Sequence, residues 1–331
     1  MTFPPRAGLI GVRRRSDFHV NHVLSTSLLT SSVFAALIAR AAAAAPPGAR
    51  VSQSQRPDPR ADVWHYHRPN LEWRLRPRSV VTVHHDLRDE RGWLQLKYFL
   101  SRYREASIIH CLNQTQALLL AEHGIVRTCV IPHGVDRRHF PSPTRPRQWT
   151  GSGLRLGIVS RRYDREVKGE GLFRALLPHL DPARVSFTFV GGGRGQDAEL
   201  ARAKGFRAVH WECLPYALMP QIYAAIDALL IPSRFEGGPA SLPEALGSGL
   251  PAISMPVGMS PDLVEDGRNG MLLSGRTRAD AARIMSLLDA GGRSMNELNE
   301  GAFKGAARVP AWTEILVRWY QLYGEALEAA I

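Results

Sequence analysis

The stretch "RFEGGPASLPEALGSGLP" at residues 234–251 holds two carboxylates, Glu236 and Glu244, with seven residues between them. Gly237, Gly238 and Pro239 intervene. Glycine costs backbone entropy and proline belongs at a helix start, so the first carboxylate is expected on a loop and the second inside the following helix. "DALLIPS" (227–233) reads as a strand, which puts the loop at a strand's carboxyl end, where open α/β sheets bind ligands. A helix start offers unpaired N–H groups and a partial positive charge, which suits a phosphate. A carboxylate accepts hydrogen bonds in pairs, which suits the vicinal hydroxyls of a sugar or ribose. A diphosphate between two polyols fits the stretch. Elsewhere, His65 and His67 stand at strand spacing in "DVWHYHRPN", a pattern that suggests a metal. With no third ligand near them in the sequence, cleft lining or packing is the expectation, and no metal site is expected.

The elements that must position these groups alternate along the chain. In the first half the expected strands are "LIGV" (9–12), 62–67, 79–85, 107–113 and 128–134. Helices are expected through 21–41, 91–106 and "QTQALLLAEHG", with a Pro/Arg/Gln-rich loop at 46–60. A break rich in Pro, Gly and Ser falls at 140–153. Strands are then expected at 154–160, 185–191, 208–213, 227–233, 251–255 and 269–274, and helices near 169–180, 195–204, 215–226, 239–248 and 278–290. The stretch from Ala311 onward reads as one amphipathic helix. Such alternation predicts an α/β protein of two doubly wound, Rossmann-like domains facing across a cleft. The expected boundaries are 1–148, 149–310 and a final helix at 311–331.

The 331 residues carry 42 Lys+Arg against 30 Asp+Glu, a net charge of +12. All of that excess lies in residues 1–150, which hold 22 basic and 10 acidic residues, whereas 151–331 hold 20 of each. Arginine bias alone would not leave the second half balanced, so an electropositive surface meeting an anionic partner is expected. Membrane lipid, a phosphorylated acceptor and nucleic acid all fit the charge, but no nucleic-acid-binding module is recognisable. The helix expected at 91–106 mixes Trp93, Leu94, Leu96, Phe99, Leu100 and Tyr103 with Arg91, Lys97, Arg102 and Arg104, and suits both an anionic membrane and the sheet. Residues 24–45 come nearest to a membrane span, but they are rich in Ser and Thr and include Arg40. With Arg13–Arg15 ahead of it this run also reads as a signal peptide, against which stands the strand-like "AGLIGV" before the arginines. Cys111, Cys129 and Cys213 are scattered and odd in number, which predicts free thiols in a reducing compartment. A cytoplasmic location, peripheral to the inner face of the plasma membrane, accords with both readings.

The stretch from Tyr223 to Leu273, "YAAIDALLIPSRFEGGPASLPEALGSGLPAISMPVGMSPDLVEDGRNGMLL", resembles the donor-binding core of retaining glycosyltransferases of family 4, which have the GT-B fold. That family's E-x7-E signature is matched by Glu236 and Glu244. The resemblance implies that Glu236 contacts donor-sugar hydroxyls and Glu244 the nucleotide ribose, with backbone from Gly237 and Gly238 through Pro239 and Ala240 to Ser241 near the donor. "LGIVSRRYDREVKGEGLF" resembles the family's "GR…KG" segment, so Lys168 and either Arg161 or Arg162 would neutralise the leaving diphosphate. "FVGGG" matches the glycine turn at Gly191, "VIPHGVD" the domain junction, and the last helix one that crosses back onto the first domain. "VVTVHHDL" resembles a strand end bearing an acceptor-side histidine, which gives His84, with His85 the alternate. Alternation puts the two on opposite faces.

Two segments depart from the family pattern. "RRRSDFHVNH" stands where a glycine-rich loop is usual, and Gly258–Asp262 carries one glycine and ends in Asp where the family has "GGxxE". The expected reaction moves a sugar from a nucleotide diphosphate-sugar to a hydroxyl acceptor, lipid-linked or anionic, with retention of configuration. His84 would bind or deprotonate the acceptor or support the developing charge. No cofactor is expected, and the absence of a D-x-D triplet predicts metal independence. Alternatives are a non-catalytic sugar-nucleotide or glycan binder, and an epimerase or phosphorylase on the same fold.

Overall fold

The structure, a computed structural model, describes residues 17–29, 31–149, 151, 153–163 and 165–329. Two six-stranded sheets organise them. The first comprises β1 (Phe18–Val23), β2 (Ala49–Ser54), β3 (Val63–Tyr66), β4 (Ser79–Val83), β5 (Ile108–Cys111) and β6 (Thr128–Val130), in the order β2-β1-β3-β4-β5-β6. The second comprises β7 (Leu154–Val159), β8 (Val185–Val190), β9 (Arg207–Trp211), β10 (Ala228–Ile231), β11 (Ala252–Ser254) and β12 (Gly270–Leu272), in the order β12-β11-β10-β7-β8-β9. All the pairings are parallel.

A parallel sheet is covered on both faces, so its central strands read as continuous apolar runs. "ALLI" of β10 is buried throughout, and successive residues face opposite sides. Leu230 joins a cluster with Leu156, Ile158 and Phe187, whereas Leu229 and Ile231 join one with Ile222, Leu242 and Ala252. The first sheet divides likewise, with Val81, Val83 and Ile109 on one face and Val80, Val63 and Ile108 on the other.

The final helix, Trp312–Glu328, crosses back to the first sheet. It buries Ile315, Leu316, Trp319, Leu322, Tyr323 and Ala326 against Val20, Leu37, Val63 and Val80. Those positions recur at helical spacing and form one apolar stripe.

Several expected elements differ. The strand expected at 9–12 lies outside the described residues. The first described strand, β1, runs through part of the segment that stands where a glycine-rich loop was expected. Its His19, Asn21 and His22 are buried, and they find partners in Ser52 and Ser54 of β2 and in His67 just after β3, so polarity hid a central strand. The helix expected at 21–41 starts later, as Thr26–Leu29 and Ser32–Ala43. The expected loop at 46–60 contains β2, an edge strand of mixed polarity. Only Leu100–Glu105 of the helix expected at 91–106 is α-helical; two 3-10 turns precede it, and Gly92 has φ +62. An additional helix, Arg293–Ala306, packs Met295 and Leu298 into the second sheet's core. No helix among the described residues is long and apolar enough to cross a membrane.

Candidate functional site

In the second sheet the chain runs outward from β7 through β8 to β9, then returns to place β10 on the other side of β7. The loops leaving β7 and β10 therefore flank the point where the strand order reverses, the usual ligand crevice of such sheets. Lys168 ends the loop after β7, and Glu236 lies on the loop after β10. Lys168 Nζ donates to Oε1 and Oε2 of Glu236, both at 2.7 Å, and Ser233 Oγ donates to Oε1 at 2.8 Å. The Lys168–Gly169 turn is pressed against β10's loop: Gly169 has φ +83, and a Cβ there would lie 2.0 Å from the Pro232 carbonyl oxygen. Only glycine fits both the handedness and the gap.

The structure separates the two arginines. Arg162 Nη1 pairs with Asp197 at 3.0 Å and is committed to packing. Arg161 is exposed, forms no ion pair among the described residues, and lies over the Tyr163 ring at 5.6 Å. Lys168 Nζ is 5.8 Å from the same ring centroid. Gly191 lies against the Ser160 carbonyl, which sets the end of β8 beside the Arg161 loop.

That loop is fastened from below by Arg194, a residue sequence reasoning missed. Its side chain is fully buried and donates to Ser160 O, Ser160 Oγ and Asp197 Oδ2 at 2.9, 2.7 and 2.6 Å. Its position directly after Gly191–Gly193 was the available signal.

Glu244 lies in the helix Ser241–Gly247, and Ala240 precedes that helix with no side-chain cap. The Glu244 carboxylate accepts from the hydroxyls of Tyr216 and Tyr223, each at 2.8 Å. Burial pushes its carboxyl up, and the two tyrosine hydroxyls pull it down. Both tyrosines were missed, although they lie seven residues apart in the stretch expected to be helical.

The glutamate loop also touches the first half of the chain. Asn113 Nδ2 donates to Gly237 O at 2.7 Å, and a Cβ on Gly237 would lie 2.3 Å from His84 O. At Gly237 the close neighbour is thus the His84 backbone. Gly238 faces Leu112 and Met259, and a Cβ on Gly258 would come within 3.0 Å of both Glu236 Cβ and Pro239 Cδ. Asp262, at the altered "GGxxE" position, accepts from Gln114 N at 2.8 Å, and Arg165 pairs with Asp89 at 2.5 Å. Both contacts join the halves.

His84 and His85 take opposite sides, as alternation requires. His85 is buried with its ring 4.3 Å from that of Phe99, and burial, then Arg68, lowers its pKa to about 4. His84 is only partly buried, and its Nε2 lies 2.8 Å from His67 Nδ1. Burial and, next, the Arg68 guanidinium hold it well below the usual histidine range. Its Nδ1 makes no hydrogen bond among the described residues.

The expectation that His65 and His67 lack a third imidazole is corrected, because β1 brings His22 beside them, with one nitrogen of each within 4.8 Å of the others. The rings stack, His22 on His67 at 19° and His65 on His67 at 23°. A hydrogen bond between ring nitrogens uses the same in-plane lone pair that a metal ion would take. The nitrogens bond to one another instead, as in the 2.9 Å contact of His22 Nδ1 with His67 Nε2.

Two facing parallel sheets and a returning C-terminal helix define the GT-B fold. Residues 153–290 match the family model described as Glycosyl transferases group 1. The chain is 29% identical over 219 residues to the D-inositol 3-phosphate glycosyltransferase of Actinosynnema mirum, covering 60% of this chain and 52% of that protein. The matched stretches thus span about half, or less, of the length of such curated relatives. The sucrose-phosphate synthase of Thermosynechococcus elongatus superposes with a TM-score of 0.73 at 15% identity, covering 92% of this chain and 98% of that one. HepE of Anabaena, solved with UDP and glucose, gives 0.69 at 17% identity with the same coverage. At these identities the likeness to solved structures is one of fold.

Proposed function

We propose that the protein is a glycosyltransferase that moves a sugar from a nucleoside diphosphate-sugar to a hydroxyl acceptor. The observation that carries this reading is the Lys168–Glu236 pair at the reversal point of the second sheet. Lys168 Nζ has three donors and spends two on Glu236, leaving one for a phosphate oxygen. Glu236 keeps acceptor capacity for sugar hydroxyls, so polyol and phosphate recognition stand side by side. Arg161, free of an ion pair among the described residues, adds a second positive charge where the leaving diphosphate develops. Glu244, held by Tyr216 and Tyr223, takes the ribose. With these cations in place the reaction needs no metal.

Retention of configuration, through an oxocarbenium-like transition state, follows from the resemblance of the E-x7-E segment to family 4 enzymes. A UDP-sugar is the first donor to try, given HepE's bound UDP and glucose. The test is nucleotide release and product formation from UDP-, GDP- and ADP-sugars, for wild type and for Glu236→Ala and Lys168→Ala. Removing a group that stabilises developing charge lowers turnover on the order of a hundredfold or more. Near-normal transfer by both variants would sink the reading.

For the acceptor side we propose contact with an anionic membrane and a lipid-linked or anionic acceptor. Trp73, Trp93 and Tyr98 are 93%, 53% and 51% exposed, and the Arg68 guanidinium lies 5.3 Å from the Trp93 ring centroid. Exposed aromatics among arginines suit a headgroup interface. Co-sedimentation with phosphatidylserine vesicles that weakens with salt is expected; equal binding to neutral vesicles would count against it.

A further inference from the structure

One row of hydrogen bonds in the first sheet has a polarity that can be read from its end. The Ile131 carbonyl only accepts, so His110 Nε2, 2.7 Å away, carries a proton and His110 Nδ1 accepts. Thr82 Oγ1 therefore donates to His110 Nδ1 at 2.8 Å and accepts from His65 Nε2 at 2.6 Å. His65 Nδ1 then accepts from the Tyr323 hydroxyl at 2.8 Å. Each atom of that row has one role, and the role is filled.

The neighbouring row, His22–His67–His84, has no such anchor. Its two links, of 2.9 and 2.8 Å, need one proton each. Burial depresses all three imidazoles, so the rings are neutral near pH 7. Three neutral rings satisfy two links in two ways. With the protons pointing inward, His22 Nε2 carries an N–H and His84 Nδ1 is bare. With the protons pointing outward, His22 Nε2 is bare and His84 Nδ1 carries the N–H.

The inner end decides between them. His22 Nε2 is buried without a partner, and so is Nε1 of Trp319, whose ring centroid lies 6.1 Å from that of His22. Indole nitrogen can only donate. Inward polarity would add a second buried, unpaired donor to the one the indole already leaves, each carrying its own desolvation cost. Outward polarity leaves a bare acceptor at that buried position, and it places the displaced N–H on His84, the only one of the three rings that is not fully buried.

We propose that His67 and His22 are positioning residues that hold His84 as its Nδ1–H tautomer, so that the open side of this ring offers a hydrogen-bond donor and not a base. The group it would meet is an oxygen acceptor, a sugar hydroxyl or phosphate oxygen of the reacting pair. That use rests on the glycosyl-transfer reading; the tautomer does not.

The experiment is a long-range proton–nitrogen correlation spectrum of the full chain at pH 7.5, with histidine ring nitrogens labelled with 15N and His84 assigned by loss of its signals in His84→Gln. Wild type is expected to show a protonated, pyrrole-type Nδ1 and a bare, pyridine-type Nε2 at His84. The reverse pattern overturns the proposal, and so does an even mixture. In His67→Gln the amide N–H still points at Nε2 and the tautomer is expected to persist. In His67→Phe the Nδ1–H form is expected to fall below half, and its persistence there would show that the row does not set it. Should His67→Phe not fold, the wild-type spectrum alone decides. An inactive protein with the expected spectrum would count against the glycosyl-transfer reading and leave this inference standing.

Discussion

Acid should unfold this protein early, and the buried histidines set how early. His22, His65, His67 and His110 are at most 1% exposed. Burial lowers His22 to about 3 and His110 to about 4, and it takes His65 and His67 well below the usual range. An unfolded histidine titrates near pH 6.5. Below that pH the unfolded chain binds protons that the folded one refuses, so this stability is complete above pH 6.5 and is lost as pH falls. Between pH 7.5 and 5.5 one such group costs about 1.4 kcal/mol, and four cost about 5 kcal/mol. The Glu244 carboxyl, raised by burial, works in the opposite sense and trims the figure. A loss of that size is a large share of an ordinary folding stability of about 5–15 kcal/mol. Urea unfolding followed by tryptophan fluorescence at pH 7.5, 6.5 and 5.5 measures it. A total fall below about 1.4 kcal/mol, the value of a single histidine, would refute the reasoning.

Three further outcomes are expected. Arg161→Ala should reduce turnover roughly tenfold or more with little change in melting temperature, whereas Arg162→Ala should cost stability first, because it removes one of the two arginines that pair with the buried Asp197; identical behaviour of the two would contradict the division of roles. Gly237→Ala places a Cβ 2.3 Å from His84 O and should part the two halves there, so small-angle scattering should show a larger radius of gyration. An unchanged radius with unchanged activity would tell against the contact. Trp319→Ala empties a site 2% exposed under the first sheet and should cost about 3–5 kcal/mol, read from denaturant midpoints.

The loop and helix that carry Glu236 and Glu244 were legible because their signals are local. Glycine, proline and carboxylate at a strand end constrain the backbone within a few residues, and "ALLI" can only be a buried strand. What could not be read was set by distant partners. β1 looked like a loop because His19, Asn21 and His22 are polar, and their acceptance in a sheet depends on Ser52, Ser54 and His67. Tyr216, Tyr223 and Arg194 were invisible for the same reason, since no spacing announces that a hydroxyl will meet Glu244 or a guanidinium Ser160. The stretch at 91–106 misled in the other direction: its apolar periodicity suits one helix, but two 3-10 turns take up Gly92–Leu94 and Leu96–Tyr98 and leave only Leu100–Glu105 α-helical. His84 over His85 was left open by alternation and separated only by packing, one ring on Phe99 and the other on His67.

The returning helix has a consequence for how the chain is made. Synthesis releases the first sheet's strands long before the segment that covers them, because Val20 and Val63 share one apolar cluster with Trp319 and Ala326. Until about residue 326 has left the ribosome, one face of the early half stays wet and exposed. Halves that in many two-domain proteins fold in turn as they emerge are here bound to finish together. A stalled or truncated translation product would therefore present an uncovered sheet face, the kind of surface that chaperones hold and that aggregation recruits.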